Sequence, residues 1–197
     1  MKSHTGSFVA ASMLKSVTYY LSWQELDDAV KTLDPMIAAT EDMVTLKEKI
    51  EVLKKVDIGQ KAPDFTMNDP NGVPVSLYDA LANCEVLLLD FWAAWCGPCR
   101  KENPFVVSTY NQFHSKGFSV LGVSLDRDRE SWLKAIENDK LTWTHVSNVK
   151  YWDNPVAKMY GVSAIPTNYF IDKNGIILGK NLRGVALKEK VSSLIGD

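Results

Sequence analysis

Glu85 to Trp92 reads as one apolar run broken by Asp90, and it stops four residues before Cys96-Gly97-Pro98-Cys99. A run without polar alternation cannot leave one face in water. It predicts a strand buried on both faces, in a sheet covered by helices on each side. Phe118 to Leu125 reads as a second such strand, and Thr167 to Ile171 as a further strand. Asp172-Lys173-Asn174-Gly175 then turns the chain back into Ile176-Ile177-Leu178. Helical spacing fills the intervals, over about Pro98–Lys116, Glu130–Asn138, a short Val156–Tyr160, and Ala186–Ile195. Ahead of the first strand, Phe65-Thr66-Met67 and Val73-Pro74-Val75 flank Asn71-Gly72, a dipeptide suited to a tight hairpin turn with positive φ. The expected class is α/β, with a central mixed sheet.

The front of the chain has another character. Ser22 followed by Glu25 is a capping-box pattern, and Trp23, Leu26, Val30 and Leu33 recur at helical spacing. Asp34-Pro35 interrupts that helix. A further helix carries the stripe Met43, Leu46, Ile50 and Leu53, expected to pack against the following domain. The period changes at Ile58-Gly59-Gln60-Lys61-Ala62-Pro63, so residues 1–57 are read as a small all-helical segment and 58–197 as the α/β domain.

Composition removes several classes of function. With 22 Lys+Arg against 24 Asp+Glu the net charge is −2, which disfavours binding to nucleic acid by charge alone. No apolar run approaches the ~18 residues needed to span a bilayer. Three cysteines in 197 residues do not make a disulfide scaffold. Met1-Lys2-Ser3-His4-Thr5-Gly6 is followed by no apolar stretch with a cleavage site, so the residues themselves show no export signal and leave a cytoplasmic location open.

The chemistry gathers where the first buried strand gives way to a helix. Unpaired N–H groups and the positive end of the macrodipole at a helix N-terminus stabilise a thiolate, which makes Cys96 the expected nucleophile. Pro98 suits the first helical turn. Cys99, three residues on, can close a disulfide with Cys96, and a pair that opens and closes is a redox switch. Half a zinc site is the competing reading of the pair, but Cys84, His4, His114 and His145 supply no second close pair of ligands, so no metal is expected. Cys84 is read as a partly buried structural thiol. Asp90, six residues before Cys96, is expected to be buried, with a raised pKa, and able to take a proton from Cys99. Glu102, three residues after Cys99, can share that task. Pro104 is expected to kink its helix. In Ala164-Ile165-Pro166-Thr167, a proline at the start of a strand points to a special peptide geometry.

Phe91-Trp92-Ala93-Ala94-Trp95-Cys96-Gly97-Pro98-Cys99 resembles the active-site segment of the thioredoxin superfamily, and Ile165-Pro166-Thr167 resembles its cis-proline loop. Ala62-Pro63-Asp64-Phe65 and the run from Trp95-Cys96 through Glu102-Asn103-Pro104 are similar to the TlpA/ResA-like branch, whose members are extracytoplasmic thiol-disulfide oxidoreductases. The resemblance implies a thioredoxin-like fold with an N-terminal β-hairpin and an inserted strand-helix unit. It also implies an attacking Cys96, a resolving Cys99 and a proton-handling Asp90 or Glu102. Trp95, Gly97, Pro98, Ile165, Pro166 and Thr167 would meet the substrate. The redox-active disulfide would serve as the only cofactor. A disulfide-bearing protein would be the substrate, and a membrane-bound thiol-disulfide protein the electron donor. The Gly-Pro between the cysteines is that of thioredoxin, a reductant near −270 mV, which leans the reading towards reductase. The helical front lies outside the resemblance and is expected to mark the chain as the C-terminal part of a longer exported protein. Two other readings compete. A thiol peroxidase would need a threonine where Ala93 stands, and a binding module would use the helical segment as its partner site.

Overall fold

The computed structural model describes residues 8–18 and 20–196, and the chain divides into two compact units between Val56 and Asp57. The first contains helices α1 (Phe8–Val17), α2 (Trp23–Lys31), α3 (Pro35–Ala38) and α4 (Glu41–Lys55). The capping box forms: the Ser22 hydroxyl accepts from the Glu25 N–H, and the Glu25 carboxylate accepts from the Ser22 N–H. Asp34 caps α3, with Pro35 in its first turn, where the missing N–H costs nothing. The stripe of α4 is spent differently from the sequence expectation. Met43, Leu46 and Ile50 are buried in the helical unit's own cluster, with Ala11, Leu14, Leu26, Val30 and Ile37, and Leu53 packs at its edge. Four short helices supply enough apolar surface to bury the stripe among themselves.

The second unit follows the strand–helix alternation. A small antiparallel hairpin, β1 (Thr66–Asn68) and β2 (Pro74–Ser76), leads into α5 (Leu77–Leu81), capped by Ser76. Then come β3 (Val86–Trp92), α6 (Gly97–Phe113), β4 (Phe118–Ser124), α7 (Arg129–Asn138), β5 (Thr144–Val146), α8 (Pro155–Met159), β6 (Thr167–Asp172), β7 (Ile177–Lys180) and α9 (Gly184–Ile195). The sheet runs β5-β4-β3-β6-β7, with the first three strands parallel, β6 antiparallel to β3 and β7 antiparallel to β6. Every residue of β3 is buried, as a central strand covered on both faces requires. This is the expected mixed α/β architecture, with α7, β5 and α8 between β4 and β6.

Three local expectations need correction. The hairpin loop is longer than a two-residue turn: Asp69 accepts from Gly72 N–H through its carbonyl and from Asn71 and Val73 N–H through its carboxylate. Only Gly72 takes a positive φ there, +83°; Asn71 does not. The aspartate and proline ahead of Asn71-Gly72 build a wider turn. Two elements, α5 and β5, were not read from the sequence, because each is too short to show a period. Helix α6 continues through Pro104, with its regular part ending at Phe113 before a 3₁₀ turn over His114–Lys116.

Candidate active site

The buried strand β3 delivers the chain to Ala93 and Ala94, and α6 begins at Gly97. Cys96 is the N-cap of α6, and its Sγ accepts a hydrogen bond from the Cys99 N–H at 3.1 Å. This is the orphan-donor geometry that would stabilise a thiolate at the same sulfur. The two cysteines are joined as a disulfide. Cys96 is 4% exposed and Cys99 1%, and Cys96 faces the loop ahead of β6: its Sγ lies 3.7 Å from the Ile165 carbonyl oxygen. Gly97 and Pro98 are exposed in the first turn, with open space around Gly97 Cα.

The opposing loop is held from two sides. The Ile165–Pro166 peptide is cis, the Arg183 guanidinium donates to the Pro166 carbonyl, and the Thr167 hydroxyl donates to the Ala164 carbonyl at 2.9 Å. Pro166 and Thr167 are buried, so the side chain with outward exposure here is Ile165, half-buried. Thr167 braces the loop. Trp95 is 44% exposed; its indole N–H is tied to the Leu125 carbonyl at 3.1 Å, which fixes the ring beside Cys96.

Asp90 sits in the middle of β3, paired in register with Gly122 on β4 and Asn168 on β6. It is buried, and neither residue beside it in the sheet offers its carboxylate a counter-charge. Its neighbours explain why. The Asn168 side chain is engaged with Leu182, donating to its carbonyl at 2.8 Å and accepting from its N–H at 3.1 Å. Gly122 has no side chain and cannot have one: a Cβ would stand 2.3 Å from His145 Nδ1 and 3.1 Å from Trp92 Nε1. His145, next in the row, is held neutral by burial, its pKa pushed down to about 3. The Leu141 carbonyl favours the charged ring slightly, yet neither ring nitrogen meets a partner in hydrogen-bond geometry. Asp90 therefore gains no counter-charge from the sheet. Burial, and then repulsion from Glu102, push its pKa up to about 7, and the Arg183 charge only partly opposes them.

Glu102 has a second attachment: one carboxylate oxygen accepts from Gly184 N–H at 2.6 Å, at the first turn of α9. Cys84 lies at the far end of β3 from the disulfide, free and buried. Two site residues were missed in the sequence. Asp126, just past β4, accepts the Ala94 N–H on both carboxylate oxygens at 3.1 and 3.0 Å and the Ser124 hydroxyl at 2.8 Å. Its signal was available: it is the first charged residue after a buried parallel strand, at the carboxyl end where α/β sites form. Arg183 had no local signal, since its role depends on a contact across 17 residues of chain.

A redox-closed Cys-Gly-Pro-Cys at the head of a helix, facing a cis-proline loop, narrows the chemistry to thiol-disulfide exchange. The model of the AhpC/TSA family matches residues 58–179. The chain belongs to the AhpC/TSA family. Within it, relatives named thiol-disulfide oxidoreductase ResA include that of Geobacillus thermodenitrificans, 32% identical over 136 residues, which span 69% of this chain and 75% of the relative. The ResA of Bacillus subtilis is 27% identical over 125 residues, 64% of this chain and 67% of its own. Among solved structures, the thioredoxin domain of a thiol-disulfide oxidoreductase from Bacteroides vulgatus is 40% identical, with a TM-score of 0.66, over 71% of this chain and 99% of that one. A thiol:disulfide interchange protein from Bacteroides sp. is 39% identical, with a TM-score of 0.65, over 73% and 93%. This AhpC/TSA member is accordingly a TlpA/ResA-like thiol-disulfide oxidoreductase of the thioredoxin superfamily, and such enzymes act on disulfide-containing substrates. The family match starts past the helical unit. No helix among the described residues is long and apolar enough to cross a membrane.

Proposed function

We propose that the protein reduces disulfides in protein substrates by a Cys96–Cys99 cycle. The observation that carries this reading is the placement of Cys96 Sγ, which takes the Cys99 N–H from the helix end while facing the Ile165 carbonyl of the opposing loop. In the reduced enzyme the Cys96 thiolate attacks one sulfur of the substrate cystine. A mixed disulfide forms and the other substrate sulfur leaves as a thiolate that takes up a proton. Asp90, with a pKa of about 7, accepts the Cys99 proton; the Cys99 thiolate then attacks Cys96 Sγ, the substrate leaves reduced, and the enzyme disulfide closes. Glu102 acts on this step through Asp90, by repelling its charge. Exposed Trp95, Gly97, Pro98 and half-buried Ile165, with Pro166 beneath, form the surface that meets the substrate.

Each turnover leaves two electrons' worth of oxidation on the enzyme, so a second thiol protein must return them. A membrane-bound donor outside the cytoplasm suits a ResA-like enzyme. Peroxide reduction is disfavoured by Ala93, a buried methyl group where the peroxidase branch carries a hydroxyl.

The test is a trap. Reduced Cys99→Ser protein mixed with an oxidised protein substrate is expected to accumulate a mixed disulfide at Cys96, seen by mass spectrometry, and Cys96→Ser to form none. A Cys96–Cys99 potential near thioredoxin's, about −270 mV, supports reduction; one near −120 mV reverses the direction of electron flow.

A further inference from the structure

Beyond the cysteines, the chain spends backbone strain on a loop that has no part in the steps above. Between β5 and α8, Val149 and Tyr151 both hold positive φ, +54° and +57°. A β-branched valine is a genuine outlier there, and such strain persists only where the surroundings over-determine it. They do. The Ser147 hydroxyl donates to the Ser124 carbonyl at 2.9 Å and accepts from Val149 N–H at 3.0 Å. The Asn148 amide donates to the Asp153 carbonyl at 2.8 Å, and Asn154 reaches back to the Ser124 carbonyl at 3.4 Å.

The strained turn presents two rings to Trp95. Tyr151 lies 5.0 Å from Trp95 between ring centroids, Trp152 lies 6.4 Å from Trp95, and the two are 6.1 Å from each other. Asp126 locks the pieces together: its carboxylate grips Ala94 N–H, next to Trp95, and its carbonyl accepts from Tyr151 N–H at 3.2 Å. Arg127 stands over the Tyr151 ring at 5.8 Å. The rings are thus fixed before any partner arrives, yet Tyr151 remains 38% exposed.

We infer that Tyr151 and Trp152 are specificity residues, completing with Trp95 a rigid aromatic platform that receives an apolar or aromatic side chain flanking the attacked cystine of a protein substrate. The platform is continuous with the face of Cys96, so an extended chain whose cystine sits at Cys96 must lay its neighbouring residues over it. Prearranged rings bind such a side chain without the cost of ordering. This rests on the reductase reading above.

The experiment uses the full chain, reduced, and two synthetic peptides with one intramolecular disulfide, identical except for Phe or Ser beside the first cysteine. The wild type is expected to reduce the Phe peptide with a kcat/KM about tenfold higher than the Ser peptide. In Tyr151→Asn/Trp152→Ala, where Asn tolerates the positive φ, the ratio is expected to fall below about threefold while the Cys96–Cys99 potential holds. Tyr151→Phe/Trp152→Phe should restore it. A wild-type ratio near one, or a double variant that slows both peptides equally, overturns the platform. A wild type that reduces neither peptide overturns the reductase reading and the platform with it.

Discussion

Glu102 accepts a hydrogen bond from Gly184 N–H at 2.6 Å, which links the active-site helix α6 to the start of α9. The same carboxylate raises the pKa of Asp90, whereas Arg183, next to Gly184 in the chain, lowers it. The base of the proposed cycle is therefore tuned by two opposed charges at one helix junction. The rate of substrate release is expected to rise with pH through about 7 in the wild type, as Asp90 loses its proton. Glu102→Gln keeps an acceptor for Gly184 and removes the repulsion, so the inflection should move to lower pH; Arg183→Ala should move it higher. Stopped-flow release rates between pH 5 and pH 9 check both directions, and an inflection that stays put in both variants excludes Asp90 as the group observed.

Burying Asp90 also shapes stability. Its pKa is near 3.9 in the unfolded chain and about 7 in the fold, so the folded state holds the proton more tightly across that window. Stability is lost as pH rises from about 4 to about 7, and the full cost, on the order of 4 kcal/mol, is present above pH 7. Asp90→Asn abolishes this dependence. Urea unfolding of the oxidised protein is expected to show the stability of the variant relative to wild type growing by roughly 3 kcal/mol between pH 5 and pH 8. A pH-independent difference would mean that the carboxylate is solvated or paired.

Much of this could be read from the residues, and the failures share a cause. The runs from Glu85 to Trp92 and from Phe118 to Leu125 announced buried strands because a central strand leaves no alternation to interpret. Ser22 with Glu25 fixed a helix start because the cap is completed within four residues. Cys96-Gly97-Pro98-Cys99 carries its own chemistry in its spacing. What escaped depends on pairs remote in sequence. Glu102 meets Gly184 across 82 residues, Arg183 meets the Pro166 carbonyl, and Asp126 binds Ala94 from 32 residues away. The stripe of α4 misled because an apolar face states that something must cover it and leaves open which unit does so. β5 and α5, three and five residues long, are stabilised by their neighbours rather than by a pattern of their own.

Cys84 should stay silent in trapping experiments. Burial, and then the adjacent Glu85 charge, push its thiol up to about 11. At pH 8 about one molecule in a thousand then carries the thiolate, against roughly a quarter for an ordinary cysteine near 8.5. Alkylation of Cys84 by iodoacetamide in the folded oxidised protein is expected to be at least ~100-fold slower than that of free cysteine. Peptide mapping after timed quenching measures it, and rapid labelling would show that the loop ahead of β3 opens.

Asp139, at the end of α7, fastens α7 to α6. Its carboxylate takes both Arg100 Nη2 at 2.6 Å and Arg100 Nε, and also Asn103 Nδ2 at 2.6 Å. Arg100 and Asn103 lie one and four residues beyond Cys99, so this acid ties the first turns of the active-site helix to the end of α7. Asn103 is buried, whereas Arg100 is about a third exposed, and solvent screening lowers the worth of its share. Asp139→Ala leaves a buried amide without an acceptor and a guanidinium without its fork, and is expected to cost about 2 kcal/mol in urea unfolding. Asp139→Asn keeps an acceptor and should cost less than half of that. Because Asp139 touches neither sulfur, the Cys96–Cys99 potential should follow wild type in Asp139→Asn; a shifted potential there would mean that the charge of Asp139 reaches the disulfide along α6.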